Sequence, residues 1–156
     1  MHFEEIEFAS GDYYRECDLR DTELRRPLGL KLWTEDLAAE RAQRHFGLFS
    51  DQRELLACVV AVPLPDGVKI RQMAVAASQQ GRGVGRKLIG HVERRLAREG
   101  ARHFWMHARV TAIGFYEKIG YRQTGDTFTE VGIPHIRMEK SLPDCADKNP
   151  LIRRAK

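Results

Sequence analysis

No stretch of the chain approaches the roughly eighteen consecutive apolar residues that a membrane-spanning helix requires, so no membrane partner is predicted. The first ten residues carry Glu4, Glu5 and Glu7 where a secretory leader would place basic residues before an apolar core, and a cytoplasmic location is expected. Cysteine is scarce. Cys17, Cys58 and Cys145 are odd in number and widely spaced with no CxxC pair, which argues against a disulfide framework and an encoded zinc site. Also missing is a continuous basic stripe with interleaved aromatics. The net charge of +4 sits partly in Arg153, Arg154 and Lys156, so no nucleic-acid partner is predicted.

What is there describes a folded domain. Hydrophobic residues make up 42% of the 156 and charged residues 31%, too apolar and too evenly charged for a disordered chain. That length suits a single domain, assigned to residues 1–142, followed by a polar, basic tail over 143–156 that is expected to fray.

Ile6 and Phe8 mark a short first strand, and Asp12 is a candidate cap for a helix running toward Pro27. Thr34, followed by Glu35 and Asp36, reads as the start of a second helix that stops before Phe46. Residues 45–50 and 54–62 form a predicted hairpin around Asp51, Gln52 and Arg53, and 68–75 a further strand. Val84, Leu88, Val92 and Leu96 draw one apolar stripe along a helix that Gly100 ends. A strand over 103–108, a short helix over 111–119 and closing strands over 121–130 and 133–140 complete an α/β order with a parallel crossover at 68–108.

The densest signal is the run Gln80-Gly81-Arg82-Gly83-Val84-Gly85-Arg86-Lys87, between a strand and the striped helix. Glycines let backbone amides approach a ligand, and a helix start offers unpaired N–H groups with a positive dipole end, together a cradle for a diphosphate. The dinucleotide pattern GxGxxG fails because Arg86 stands where its third glycine belongs, and the GxxxxGK[ST] loop is absent.

With Gln80, Gly83 and Gly85 in the fixed places, the run resembles the Q/R-x-x-G-x-G/A signature of the GNAT acetyltransferases. Phe115-Tyr116-Glu117-Lys118-Ile119-Gly120-Tyr121 resembles that family's second signature. The resemblance runs from about Val68 to Tyr121, more loosely to Lys140. Residues 1–67, which normally supply much of the acceptor site, match only in the order of elements. It implies the GNAT acyl-CoA N-acyltransferase fold, a mixed central sheet of six to seven strands flanked by about four helices. It also implies acetyl-CoA as co-substrate, held by Met73, Ala74 and Val75 along the pantetheine arm, by residues of the run from Gln80 through Gly81, Arg82, Gly83, Val84 and Gly85 to Arg86, and by Thr111, Phe115, Tyr116 and Lys118.

The implied reaction moves an acetyl group to an amine, on a small molecule or a protein, by direct attack in a ternary complex. It requires a neutral nucleophile, a donor for the oxyanion and a proton for the departing thiolate. A backbone N–H within 73–75, turned out by a bulge, is the implied oxyanion donor. Tyr116 is the general-acid candidate, a phenol of pKa about 10 facing a thiol of about 8.5, although the same ring also suits packing. Glu130 and His135 are candidates for the base that frees the amine. His103 and His107 lie four apart on a predicted strand, without the acidic partner a metal site would need, and no metal is predicted. The alternative is a silent acyl-CoA-binding sensor. The resemblance leaves a homodimer open.

Overall fold

The computed structural model describes residues 1–144, so Cys145 and nearly all of the predicted tail lie outside the described residues. After β1 (His2–Ile6), the first helix, α1 (Gly11–Arg20), is capped by Ser10 and not by Asp12. The Ser10 hydroxyl accepts from the Tyr13 amide at 3.2 Å, and Asp12 falls in the first turn, where the helix dipole favours it. Beyond Arg20 the backbone widens into a π-helical turn, Asp21–Arg25, and then tightens into a 3-10 turn at Arg26–Leu28. Asp21 explains the change of path, since its carboxylate accepts from the Leu32 amide at 2.8 Å and from Arg26 at 3.0 Å, pinning the chain eleven residues ahead.

The second helix expected from Thr34 is replaced by two 3-10 turns, Leu32–Thr34 and Ala38–Ala42. The Thr34 hydroxyl donates back to the Lys31 carbonyl at 2.8 Å, and Asp36 accepts from the Ala38 amide at 3.0 Å. Such local side-chain bonds compete with helical pairing.

Strands β2 (Arg44–Phe49) and β3 (Leu55–Leu64) make the predicted hairpin, followed by β4 (Gly67–Val75), helix α2 (Val84–Arg98) and β5 (His103–Arg109). Helix α3 (Ile113–Lys118) then leads into β6 (Arg122–Glu130) and β7 (Ile133–Ser141). The seven strands lie in the order β1-β2-β3-β4-β5-β7-β6, antiparallel except for the β4–β5 pair. On one face, Leu88, Ile89, Val92 and Leu96 of α2 pack with Val59, Val68, Ile70 and Phe104 into the main core. A smaller core of Ile6, Tyr13, Cys17, Leu32 and Phe49 lies under α1 on the other face. Covered on both sides, β3 is continuously apolar from Leu56 to Ala61 and buried throughout.

Polar groups anchor α1 to the sheet as well. Arg20, buried, donates to Glu16 at 2.7 Å and to both oxygens of Glu40 at 2.9 and 2.6 Å. His45 on β2 faces the Glu16 carboxylate through Nδ1 at 3.0 Å and the Glu40 carbonyl through Nε2 at 2.9 Å. A carboxylate and a carbonyl only accept, so both ring nitrogens donate and His45 is an imidazolium. Two buried cations thus meet two buried carboxylates. Burial pulls His45 toward neutrality, and Glu16 and the Glu40 carbonyl outweigh it, so the net shift is upward.

Candidate active site in the strand splay

Strands β4 and β5 are paired at only two positions, Val68 with Phe104 and Lys69 with Trp105. Beyond these they part and open a cleft of about 490 Å³. A bulge accompanies the parting. Cys58 faces Ala74 and Val60 faces Arg71, so Val59 alone opposes both Gln72 and Met73, and Gln72 takes φ +56°. The π-helical turn braces the bulge, because Arg25 donates through Nη2 to Gln72 Oε1 at 3.1 Å while its Nε donates to Glu35 at 2.7 Å. Among the candidate donor-binding residues, half-buried Met73 borders the cleft, Ala74 is buried and Val75 is half-buried beside it.

At the C-terminal end of β4, the Gln80 side chain donates to the Val75 carbonyl at 3.0 Å and to Glu23 at 3.1 Å, tying the glycine run to the strand and to the π-helical turn. Gly81 and Gly83 adopt φ +77° and +76°, a left-handed conformation that side-chain-bearing residues rarely take, and Gly83 is the N-cap of α2. The run itself forms a turn, and the first bond of α2 closes from the Lys87 amide to the Gly83 carbonyl at 3.0 Å, so the first-turn amides ahead of Lys87 have no partner within the helix. A Cβ at Gly85 would lie 3.3 Å from Val75 Cγ2, 3.5 Å from Phe115 and 3.6 Å from Met73, so the helix start sits close against strand and α3. Val84 is buried in the main core. Between α2 and α3 a second, more open hollow of about 830 Å³ is bordered by Gly83, Arg86, Lys87, Arg94 and Lys118. Arg82 and Thr111 are exposed and border neither cleft.

Tyr116 on α3 borders the splay, its ring edge-on to Phe115 at 5.0 Å and to Tyr121 at 5.9 Å. Burial pushes its phenol up to about 12, so it keeps its proton at neutral pH. The two tyrosines differ in what their hydroxyls do. Tyr121 donates to Glu93 at 2.8 Å, whereas Tyr116, a residue of the cleft lining, has a hydroxyl without a hydrogen-bond partner among the described residues.

Glu130 and His135 meet at the same cleft with a third residue that sequence reasoning set aside, His107. Glu130 Oε1 lies 3.2 Å from His107 Nδ1, and its Oε2 lies 3.7 Å from His135 Nε2. His135 Nδ1 faces the Ile133 carbonyl at 2.8 Å, so it carries the proton and Nε2 keeps the lone pair in the neutral ring. From the sequence alone His107 is only a metal-ligand candidate without an acidic partner. The usable signal was the alternation of β5, which puts His107 on the same face as Trp105 and Arg109 and opposite the core residues Met106 and Ala108. Among the described residues, one trio has the geometry of metal ligands, Glu16, Glu40 and His45, and there Arg20 fills the space between the carboxylates.

A family model described as an Acetyltransferase (GNAT) domain matches residues 25–142. The chain belongs to the GNAT acetyltransferase family. The uncharacterized N-acetyltransferase YitI of Bacillus subtilis (strain 168) is 36% identical over 75 residues, which are 47% of this chain and 50% of that protein. The chain thus spans about half the length of the curated GNAT relatives it matches. Among solved structures, an acyl-CoA N-acyltransferase from Pseudomonas aeruginosa superposes with a TM-score of 0.74 at 18% identity, over 90% of this chain and 99% of its own. An aminoglycoside 6'-N-acetyltransferase complexed with coenzyme A superposes at 0.70 with 18% identity, over 92% and 98%. At such identities these structures speak for the GNAT fold, which the seven-stranded sheet shares. No helix among the described residues is long and apolar enough to cross a membrane.

Proposed function

We propose that this chain transfers an acetyl group from acetyl-CoA to an amine by direct attack within a ternary complex. The observation that carries this reading is the coincidence of the strand splay with a glycine-rich helix start whose first-turn amides have no partner within the helix. In this reading those amides hold the coenzyme's diphosphate, with Arg86, Lys87 and Lys118 beside them. The pantetheine arm lies along the freed edge of β4, pairing with its backbone as a further strand would.

The thioester carbonyl then sits at the bulge, where a backbone N–H of 73–75 receives the developing oxyanion. The ammonium acceptor gives up one proton to the Glu130, His107 and His135 group, with His135 Nε2 the open lone pair. Its nitrogen attacks the thioester carbon, the carbon–sulfur bond breaks and the departing thiolate takes the proton of the Tyr116 hydroxyl, while the nitrogen releases its second proton to solvent and solvent reprotonates the phenolate, leaving the N-acetyl amine and free CoA thiol. A phenol raised to about 12 is a weak acid, and it gives up its proton only as charge collects on sulfur.

Calorimetry with acetyl-CoA and a thiol-release assay over a panel of amines test the reading together. Heat on binding and amine-dependent release of free CoA are expected. Binding without turnover for any amine would leave a silent acyl-CoA-binding domain, and absence of binding would remove the acyltransferase assignment.

A further inference from the structure

Four cations border the splay, Arg25, Lys69, Arg71 and Arg109, against two carboxylates, Glu35 and Glu130. Arg25 is neutralised by Glu35 at 2.7 Å, and Glu130 is engaged with His107 at 3.2 Å. Lys69, Arg71 and Arg109 are left over, and the first two share one face of β4. Among the described residues neither makes an ion pair: Arg71 reaches only the neutral amide of Gln43, at 3.4 Å, and the Lys69 ammonium rests over the Trp105 ring, 5.1 Å from its centre. Both are half-buried, and burial is the leading cause that draws each below its ordinary pKa. A cation withdrawn from water without a counter-charge is unfavourable, and an anion arriving from outside relieves it.

The position of the two side chains restricts where that anion comes from. Val68 and Ile70 of β4 point into the core beneath α2, so the alternation of the strand sets Lys69 and Arg71 on the opposite face. In the proposed reaction the phosphates of the acyl donor are met at the start of α2, by amides 81–86 and by Arg86, Lys87 and Lys118. The pantetheine arm that enters the splay is uncharged. The charge that answers Lys69 and Arg71 must therefore arrive with the acceptor.

We propose that the acceptor is a small amine that itself carries an anionic group, a carboxylate or a phosphate, seated by Lys69 and Arg71 while its amine faces Glu130 and His107. This rests on the acyltransferase reading for its chemistry and on the surplus of positive charge for its selectivity. Two positions apart on one strand face, the residues stand roughly 6.6 Å apart along the backbone, a span one anionic group bridges. Arg71 offers a planar fork that fits two oxygens at once, and Lys69 adds a point charge. The same pair repels a polycation.

The test uses the full chain with saturating acetyl-CoA and acceptors matched in pairs that differ in one anionic group. Glycine is set against glycinamide, β-alanine against its amide, and phosphoethanolamine against ethanolamine, with spermidine as the polycation. The anionic member is expected to show a kcat/KM about tenfold higher or more, the equivalent of about 1.4 kcal/mol. The carboxylate and phosphate arms distinguish the two anions. In the double variant K69Q/R71Q the ratio should fall to near one with acetyl-CoA binding unchanged, whereas K69R with Arg71 intact should keep most of it. Equal rates within pairs, or spermidine as the best acceptor, overturn the proposal.

The same pairs are followed by thermal melting without coenzyme, which separates the two failures. Should acetyl-CoA give no heat, the acyltransferase reading falls by itself. A rise in melting temperature with the anionic member, absent in K69Q alone and in the double variant, still supports the seat. No rise in the parent protein overturns it.

Discussion

Arg25 donates to Gln72 across 3.1 Å, joining the π-helical turn after α1 to the one non-glycine residue of β4 at positive φ. Forty-seven residues of chain separate the two, and their contact ties the path of the N-terminal segment to the geometry of the bulge. A non-glycine residue at positive φ is a strained position of about 1 to 3 kcal/mol that its surroundings must hold.

Arg25→Ala removes that brace. Turnover is expected to fall severalfold, with acetyl-CoA affinity nearly unchanged because the loop at 81–86 is untouched. Steady-state kinetics beside calorimetry check the split, and a loss confined to binding would show that Arg25 acts elsewhere.

Tyr116→Phe should lower kcat by about a hundredfold or more, the usual contribution of a positioned general acid, while leaving acetyl-CoA binding intact. The ring contacts with Phe115 and Tyr121 survive the change, so the melting temperature should move little. Equal turnover in the two proteins would take Tyr116 out of the reaction.

Gly85→Val adds bulk where even a Cβ would stand 3.3 Å from Val75 and 3.5 Å from Phe115. The new side chain pushes α2 from the strand edge, and acetyl-CoA affinity should fall at least tenfold in a calorimetric titration. Unaltered affinity would mean that the coenzyme lies elsewhere.

His45→Gln leaves Glu16 facing a neutral partner inside a cluster that the wild type balances, and a loss of about 3 kcal/mol is expected in chemical denaturation. The pH dependence has two limbs. His45, raised above its ordinary 6.5, stabilises fully below that value and loses the contribution as pH climbs through its folded value. For Glu40 burial raises the pKa, but hydrogen bonds from Arg20 and Tyr13 prevail and lower it below 4.5, so its contribution is complete above that value and is lost as pH falls through the folded one. The wild-type advantage over His45→Gln should therefore narrow on the alkaline side, and a difference that grows there would refute the imidazolium.

The second half of the chain was largely legible because its signals are local. The stripe of Val84, Leu88, Val92 and Leu96 writes α2 directly, and alternating glycines after a strand announce the loop. The first half was less so. Thr34, Glu35 and Asp36 carry the composition of a helix start, yet hydroxyl and carboxylate bonds to Lys31 and Ala38 break it into 3-10 turns, and nothing in the residue types decides that contest. Likewise Glu130 and His135 were readable as candidates, but their meeting with His107 depends on β7 inserting between β5 and β6, a pairing that joins Arg109 to His135 and His103 to Ser141 across long stretches of chain. The surplus cations at Lys69 and Arg71 were visible as letters; that neither makes an ion pair among the described residues is a property of the fold.

A seam that opens through the thickness of a sheet has two mouths. In the proposed reaction the donor's mouth lies by the first turn of α2 and the acceptor's on the face that Lys69, Arg71 and His107 share. Molecules of unlike size and charge can then reach the same carbon atom by separate entrances, and the departure of one need not wait for the other to clear the way.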